Sequence, residues 1–314
     1  MLGAILAKQS VRGCLRGKAL DVVLVGNVTR DRVRVGDGPT RSLVGGTVYY
    51  TGLALNALGM RVGVVTKSAP SDRVPLTEEL SDQGVEVMWW PSVQTSCYEA
   101  YIPEDGRSPR QLWLPTTADS FRPEELPLDT VPWIHLGSLV HDDIPWNTVV
   151  AARKRTPVLS LDGQGLVRFR EGCELRHVAV REEHRLSVVD VLKLDEREAM
   201  LLAEQPDLQK AGCALTARGP KEVLLTRSGE GSLVFHGSQT YEISSFPPDA
   251  LVDPTGCGDT YMAGYIHQRF QGRSPRSGGV LGATLASLKL DRHGPLAAIS
   301  DADRRLIETR MVDS

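Results

Sequence analysis

The feature that most constrains the fold is a β-branched apolar run ending in glycine and asparagine, over residues 22–27. Such a run is typical of a strand that is buried on both faces of a parallel sheet. Parallel strands need crossover connections, so helices are expected between this strand and its successors. The chain continues with a small-residue helix over 47–58, a strand over 61–66, a polar-faced helix over 77–83 and a strand over 85–90. This alternation predicts an α/β fold built on a mostly parallel sheet.

The second half of the chain repeats the alternation. Core strands are predicted over 133–137, 158–162, 188–192 and 223–226, with antiparallel additions over 232–235 and 241–244. Helices are predicted over 146–153, 196–203, 259–270 and 280–288. In an open parallel sheet the carboxyl ends of the strands line the ligand crevice. We therefore expect the functional residues beside those ends.

Two antiparallel hairpins are predicted outside the main sheet. Residues 32–35 and 41–44 alternate charged and apolar side chains around a glycine-rich turn. Residues 98–102 and 111–114 flank a second turn, Pro103-Glu104-Asp105-Gly106. Hairpins with one solvent face suit a lid over the crevice.

The sequence contains no internal repeat, low-complexity tract or long linker. One domain over 21–314 is therefore predicted, with lid segments at about 31–45 and 97–114, after an N-terminal extension over 1–20. The extension carries the basic residues Lys8, Arg12, Arg16 and Lys18 and no acidic residue. It is interpreted as disordered, with an organellar leader as the alternative.

Charge and cysteine content exclude several classes of function. The formal net charge of -3 lacks the basic excess of a nucleic-acid-binding protein. No apolar run is long enough to span a bilayer, so neither nucleic acid nor a membrane is expected as a partner. The cysteines, at positions 14, 97, 173, 213 and 257, show neither a disulfide framework nor metal-ligand spacing. They are interpreted as reduced thiols of a cytoplasmic protein.

The stretch Asp253-Pro254-Thr255-Gly256-Cys257-Gly258-Asp259-Thr260 predicts a tight turn that feeds a helix N-terminus. Free backbone N–H groups and the helix dipole favour an anion there, and glycine lets a phosphate approach the backbone. Asp259 would repel that anion, so its presence suggests chemistry: it could accept a proton from a substrate hydroxyl that attacks phosphorus. The alternative is that Asp259 only caps the helix.

Joined to Gly45-Gly46 far upstream, this turn resembles the ribokinase-like family of PfkB carbohydrate kinases, and the resemblance runs from about Asp21 to Leu290. It implies a three-layer, Rossmann-like core with a small β-sheet lid. It also implies ATP as the phosphoryl donor and a sugar, polyol or nucleoside hydroxyl as the acceptor. There is no P-loop string, so the phosphate site would be the turn at 256–258.

The family's residue roles carry over by position. Asp259 matches the catalytic base, and the backbone of Gly256, Cys257 and Gly258 matches the anion hole. Acceptor hydroxyls would be bound by Asp31, Gly45 and Gly46, although Asp31 alone could be a surface charge. The nucleotide-binding positions are Thr226, Ser228, Gly229, Gly231 and Thr255, although any hairpin could use the glycines of that turn.

Three departures from the family pattern concern the acceptor pocket and the metal. Tyr50 stands where asparagine is common, which alters the acceptor pocket. Asp195 and Glu198 match the Asn-x-x-Glu motif that places Mg²⁺ through water, with an acidic first turn of a helix as the alternative. The segment 67–72 lacks a glycine, which leaves Asp72 as a weaker acceptor contact.

Strings at 95–101, 106–107, 110–111 and 162–168 resemble the myo-inositol kinase branch. In that branch the lid strands and the Asp-x-Gln stretch shape the polyol pocket, which assigns Gln164 and Arg168 to acceptor binding. The alternative is that Gln164 and Arg168 only pin the loop to its neighbours.

The favoured function is an ATP- and Mg²⁺-dependent kinase of a cyclic polyol or sugar, with an inositol-like acceptor. One alternative is a nucleoside kinase, in which Tyr49, Tyr50 and Tyr98 stack on a base; core packing explains these tyrosines equally well. Another is a regulatory family member without activity. A homodimer through the lid is one arrangement left open.

A monovalent cation such as K⁺ is a further implication of the resemblance. Asp253 and Thr255 match positions that help such an ion organise the anion hole in relatives, with Ser287 as a third candidate. The alternative is that Asp253 braces the turn. The segment His141-Asp142-Asp143 is interpreted as an exposed helix start rather than a metal site.

Overall fold

Two β-sheets organise the fold in a computed structural model that describes residues 19–104, 111–179 and 186–312. The strands in chain order are β1 (Val22–Gly26), β2 (Thr29–Val35), β3 (Arg41–Gly45), β4 (Val62–Ser68), β5 (Glu86–Pro91), β6 (Cys97–Ile102), β7 (Gln111–Thr116), β8 (Trp133–Gly137), β9 (Val158–Asp162), β10 (Arg168–Glu171), β11 (Glu174–His177), β12 (Val191–Asp195), β13 (Glu222–Thr226), β14 (Ser232–His236) and β15 (Gln239–Ile243). The helices are α1 (Thr47–Ala57), α2 (Arg73–Asp82), α3 (Trp146–Arg153), α4 (Gln164–Val167), α5 (Glu196–Ala203), α6 (Leu208–Ala217), α7 (Cys257–Phe270), α8 (Pro275–Leu290) and α9 (Asp301–Val312).

The central sheet has the order β15-β14-β13-β12-β9-β8-β1-β4-β5. Strands β5 to β13 along this order pair in parallel, while β14 and β15 add an antiparallel edge beside β13. The predicted α/β class with a mostly parallel sheet is therefore confirmed.

Alternate side chains of β1 enter two different cores. Val22 and Leu24 belong to the cluster formed with helices α1, α2, α7 and α8. Val23 and Val25 belong to the cluster on the opposite face, formed with α3, α5 and α6. All four side chains are fully buried, and burying each contributes about 1.5–3 kcal/mol relative to exposure. The period of two along one strand thus produces a three-layer arrangement.

The second sheet has the order β10-β11-β7-β6-β2-β3. Both predicted hairpins, β2–β3 and β6–β7, are present as antiparallel pairs, and β2 pairs in parallel with β6. The β10–β11 hairpin, which extends the sheet, was not predicted, because its short strands are rich in charged residues. Its turn uses Gly172, whose φ of 64° lies in the left-handed region. The domain bounds and lid segments stay predictions.

One predicted strand is displaced, and several helices of the structure were not predicted. The strand predicted over 188–192 was wrong in position: residues 186–188 form a 3₁₀ turn, and the strand is Val191–Asp195. Helices α4, α6 and α9 were not predicted. The interpretation of His141-Asp142-Asp143 as an exposed helix start was also wrong.

At that segment, α3 begins only at Trp146. Asp143 is buried, and its carboxylate accepts a hydrogen bond from the Leu139 amide at 2.6 Å. Predictions at 1–18, Asp105, Gly106, Arg107 and Arg110 lie outside the described residues. No described helix combines the length and apolarity needed to cross a bilayer.

Candidate active site

The turn before α7 is shaped by glycine. Gly256 is the N-cap residue of α7 with φ 77°, in the left-handed region that glycine adopts without strain. A Cβ at this position would also collide with the ring of Tyr50. Among the described residues, the amides of Gly258 and Asp259 donate to no backbone acceptor. The N-terminus of α7, with Cys257 as its first helical residue, therefore presents free amides, as the anion site predicted from the sequence requires.

Asp259 lies in the first turn of α7, anchored by a hydrogen bond from Thr51 Oγ1 to its backbone oxygen at 3.1 Å. Burial raises the pKa of its carboxyl to about 6, against the lowering effect of the nearby Lys193 ammonium. A carboxyl with that pKa is ionised at neutral pH and is a better proton acceptor than an ordinary aspartate.

Lys193 on β12 brings a positive charge to the same turn. Its Nζ contacts Asp162 Oδ2 at 2.8 Å and lies 3.0 Å from the point where a Cβ of Gly258 would stand. Burial lowers the pKa of Lys193, but the carboxylates of Asp162 and Asp259 raise it more, so the side chain is held charged. Lys193 was not predicted from the sequence as a site residue. Its signal was a lysine inside the apolar strand of residues 191–194.

The predicted acceptor residues Asp31, Gly45 and Gly46 lie together. Thr29 Oγ1 donates to Asp31 Oδ1 at 2.7 Å, and a Cβ at Gly45 would collide with the Asp31 carboxylate. Gly46 is the N-cap residue of α1 with φ 99°. Burial raises the pKa of Asp31 to about 6, and the charge of Asp259 adds to this shift. The two carboxylates therefore belong to one crevice.

Asp72 has a different environment. Its carboxylate accepts from Thr95 Oγ1 at 2.6 Å and pairs with Arg30. These partners join the start of α2 to the second sheet, so the carboxylate is committed to protein contacts.

The three tyrosines near the site differ in whether their rings and hydroxyl groups have partners within the protein. Tyr49 and Tyr50 are each only 3% exposed and pack edge to face, with ring centroids 5.3 Å apart. Burial raises the pKa of Tyr50, as do the carboxylates of Asp253, Asp31 and Asp259, so the phenol stays protonated between them. The hydroxyl of Tyr98 is buried without a hydrogen-bond partner among the described residues, and burial raises its pKa to about 12.

Gln164 and Arg168 flank the same crevice from α4 and the start of β10. Gln164 Nε2 donates to Thr47 Oγ1 at 3.3 Å. Arg168 contacts Glu198 Oε1 at 3.0 Å, and its buried Nε has no partner in the described part of the chain. An unsatisfied buried donor is costly unless a ligand completes it. The guanidinium is therefore a candidate ligand contact.

Asp195 and Glu198 form a capping box at the start of α5. Asp195 Oδ1 accepts from the Glu198 amide at 2.8 Å, and Glu198 Oε2 accepts from the Asp195 amide at 3.0 Å. Within the described ranges no cluster of three His, Cys, Asp or Glu side chains could hold a metal ion directly. Asp195 Oδ2 accepts from no described donor, which fits a hydrated Mg²⁺ held through its waters.

The predicted nucleotide turn follows β13. Thr226 ends that strand in register with Asp195 of β12, so both lie at the same sheet edge. Ser228, with φ 49°, and Gly231, with φ 90°, both adopt left-handed conformations. A Cβ at Gly231 would collide with the backbone of Ile243, whereas the space beside Gly229 is open.

Asp253 is braced by protein groups. Its Oδ1 accepts from the Thr255 amide at 2.9 Å, and its Oδ2 contacts the ammonium of Lys289 at 3.2 Å. Burial raises the pKa of Asp253, but the Thr255 amide and Lys289 lower it more, so the pKa is below its usual value. Asp253, which was expected to bind K⁺, is therefore already paired with the ammonium of Lys289. Ser287 is buried on α8.

Comparisons with known proteins agree on a class of enzyme. A family model described as "pfkB family carbohydrate kinase" matches residues 155–302. A structure described as a pyrophosphate-dependent kinase in the ribokinase family, complexed with a pyrophosphate analog and myo-inositol, is 28% identical. It has a TM-score of 0.81 and covers 91% of this chain and 100% of that one.

Two curated proteins extend the comparison. Cytidine kinase of Thermococcus kodakarensis is 26% identical over 263 residues, which are 81% of this chain and 90% of the relative. Inositol 3-kinase of Arabidopsis thaliana is 22% identical over 282 residues, 87% of this chain and 74% of the relative.

Proposed function

We propose that this phosphotransferase, which acts on an alcohol group and matches the PfkB family of carbohydrate kinases over residues 155–302, has a cyclic polyol of the inositol class as its acceptor. The observation that carries this proposal is the crevice in which the Asp31 carboxylate lies against Gly45, next to Gly46. Asp31 is close enough to Asp259 for the charge of Asp259 to raise the pKa of Asp31. A carboxylate and bare backbone offer hydrogen bonds without apolar bulk, which suits a ring carrying many hydroxyls.

The remaining acceptor contacts are proposed for side chains with spare donors. The Nε of Arg168 and the hydroxyl of Tyr98 are buried and without partners among the described residues. Gln164 adds an amide beside Thr47. A polyol hydroxyl can donate and accept, so these groups and Asp31 can be satisfied by one ligand. The likeness to a kinase structure that contains myo-inositol supports the same acceptor class.

In the proposed reaction, the carboxylate of Asp259 takes the proton of the acceptor hydroxyl as its oxygen attacks the terminal phosphorus of the donor. A new P–O bond forms while the bridging P–O bond of the donor breaks, and the leaving phosphate keeps that electron pair. The amides at the start of α7 and the ammonium of Lys193 stabilise the charge on the transferring group. Mg²⁺ held through water by Asp195 would screen the donor phosphates.

ATP is the proposed donor, bound by the turn from Thr226 to Gly231 and by Thr255. Left-handed Ser228 and Gly231 give this turn a tight backbone path, which is suited to contacts with phosphate and ribose. Pyrophosphate is the second candidate, favoured by the likeness to a pyrophosphate-dependent kinase over 91% of the chain. The closing second sheet would exclude water and so protect either donor from hydrolysis.

A nucleoside acceptor is the competing proposal, supported by the cytidine kinase relative. Base stacking needs an open aromatic face, and Tyr49 and Tyr50 are each only 3% exposed within the core. A regulatory role without activity is disfavoured because Gly256 forms the turn before α7 and Asp259 lies in the first turn of that helix, as catalysis would require. The cytoplasmic location stays a prediction. The homodimer stays a prediction.

The test is a panel of inositols, hexoses, pentoses and nucleosides, each assayed with Mg²⁺ and either ATP or pyrophosphate. Phosphorylated product is detected by phosphorus NMR, because ADP or phosphate release alone would also count donor hydrolysis. We expect the highest kcat/KM for an inositol with ATP. A nucleoside with the highest value would overturn the acceptor proposal, and turnover with pyrophosphate alone would overturn the donor. Asp259→Asn controls for contaminating kinases.

A further inference from the structure

Lys289, near the end of α8, is a lysine with no solvent exposure. Its Nζ donates to the backbone oxygen of Asp253 at 2.9 Å, to Asp253 Oδ2 at 3.2 Å and to the backbone oxygen of Arg292 at 3.1 Å. An ammonium has three donors, so all of them are used by protein oxygens. A fully buried lysine is rare unless it is paired in this way.

These contacts hold the beginning of the anion-binding turn. Asp253 uses Oδ1 to accept from the Thr255 amide, and its Oδ2 also accepts from the Gly294 amide at 3.3 Å. The ammonium therefore joins the segment after α8 to the residues just before Gly256. The position of the α7 amides depends on that segment.

Tyr50 gives the same ammonium a second route to the turn. Nζ lies 6.0 Å from the centroid of the Tyr50 ring, at the limit of a cation–π contact. The same ring fills the space beside Gly256, where a Cβ would collide with it. Lys289 thus bears on Gly256 through Asp253 and through Tyr50.

We propose that Lys289 is a positioning residue that serves as a built-in monovalent cation for the anion-binding turn. It supplies the charge that a K⁺ ion would supply to the Asp253 oxygens, which already accept from its ammonium and from the Gly294 amide. The enzyme should then need no added K⁺. The rate measurements rest on the proposed kinase function, whereas the stability measurements do not.

The first test uses the wild-type protein. Its rate is measured in KCl, NaCl and choline chloride at equal ionic strength, with constant Mg²⁺ and donor. We expect the same rate in all of them. Stimulation by KCl over NaCl would overturn the proposal, because it would mean that the lysine does not replace the ion.

The second test uses Lys289→Ala, which opens a space beside the Asp253 oxygens. In NaCl we expect a rate loss of about 10²-fold, the scale of a misplaced catalytic geometry. KCl or NH₄Cl should restore most of the loss, while NaCl and choline chloride should not. Without substrate, the same salts should raise the Tm of the variant selectively, which separates failure of this proposal from failure of the proposed function.

The matched control is Lys67→Ala. Lys67 is another buried lysine, 2% exposed, which contacts Glu125 at 2.7 Å away from the turn. Its loss should lower the Tm without any K⁺-selective recovery. Three results would overturn the proposal: full activity of Lys289→Ala in NaCl, a loss that no cation restores, or a protein that fails to fold in every salt.

Discussion

Two buried lysines lie beside the turn at 253–259, Lys289 at Asp253 and Lys193 at Gly258, and they are partnered differently. Lys193 pairs with one carboxylate, Asp162, among the described residues and keeps donors free beside Gly258. Lys289 gives all its donors to protein oxygens around Asp253. Lys193, with one described protein acceptor, can therefore still bind a ligand, whereas Lys289, with three, only holds the turn in place.

The two aspartates of the same turn show the matching contrast. The pKa of Asp259 is raised to about 6, chiefly by burial. The pKa of Asp253 is lowered despite burial, because an amide and Lys289 stabilise its charge. Environments that push the pKa values of neighbouring acids apart assign them different roles. Asp259 is suited to accept a proton, and Asp253 to hold the backbone.

The largest expected effect is that of Asp259→Asn. Losing a positioned base should lower kcat by about 10²–10⁴-fold, while donor affinity measured by calorimetry stays close to that of the wild type. Asp253→Asn should lose less, because that residue has no proposed contact with the reacting atoms. Equal losses in the two variants would erase the distinction between them.

The next effect is that of Lys193→Met. Removing one donor from a site of developing charge should lower kcat by about 10²–10³-fold. Unlike Lys289→Ala, this variant should gain no rate from K⁺. Because the change leaves Asp162 buried without its partner, the double variant with Asp162→Asn should recover Tm but not kcat. Recovery of kcat in the double variant would place Lys193 outside the reaction.

Acidity should lower kcat/KM by about tenfold per pH unit below pH 6, since only the carboxylate of Asp259 accepts a proton. Asp31 also has a pKa of about 6, so the measurement is repeated with Asp31→Asn. In this variant the fall in kcat/KM below pH 6 should remain, because Asp259 still titrates there. A flat profile down to about pH 4 in that variant would contradict the role of Asp259 as base.

The raised pKa of Asp259 also makes the stability of the fold depend on pH: rising pH favours the reaction but lowers the free energy of unfolding. The folded protein favours protonated Asp259, so this contribution is present below the unfolded pKa of 3.8 and is lost as pH rises through about 6. The Tm of Asp259→Asn should therefore exceed that of the wild type by a few degrees at neutral pH. The difference should vanish near pH 4; a lower Tm at neutral pH would show that the carboxylate stabilises the fold.

Gln164→Ala should have the smallest effect. Loss of one hydrogen bond of about 0.5–1.5 kcal/mol should raise the KM for the acceptor by several-fold and leave kcat nearly unchanged. Steady-state kinetics with varied acceptor measures this directly. A fall in kcat without a change in KM would favour the interpretation that Gln164 pins the loop.

Strong local signals explain what the sequence predicts well. The helices Trp146–Arg153 and Glu196–Ala203 have their predicted bounds, and the glycine turn with Asp259 was predicted because a turn into a helix is encoded by adjacent residues. The proposed roles of the site residues stay predictions.

The two lysines escaped prediction because their partners are distant in sequence. Lys193 meets a carboxylate 31 residues away, and Lys289 meets one 36 residues away. A lysine interrupts the run of apolar residues by which a buried strand is predicted. This explains why the strand was predicted to end at residue 192, before Lys193, although it continues to Asp195. The hairpin β10–β11 was not predicted because its strands, RFRE and ELRH, are mostly charged and show no apolar face.

The second sheet is assembled from segments that leave the central sheet after β1, after β5 and after β9. Its parallel pair β2–β6 and the junction of β11 with β7 join parts of the chain separated by whole helices. Closing such long loops costs entropy before any contact is gained. The sheet that carries Asp31, Tyr98 and Arg168 should therefore form late in folding. Its amides should exchange with solvent sooner than those of β1, so acceptor binding would be read most clearly as slowed hydrogen exchange in these strands.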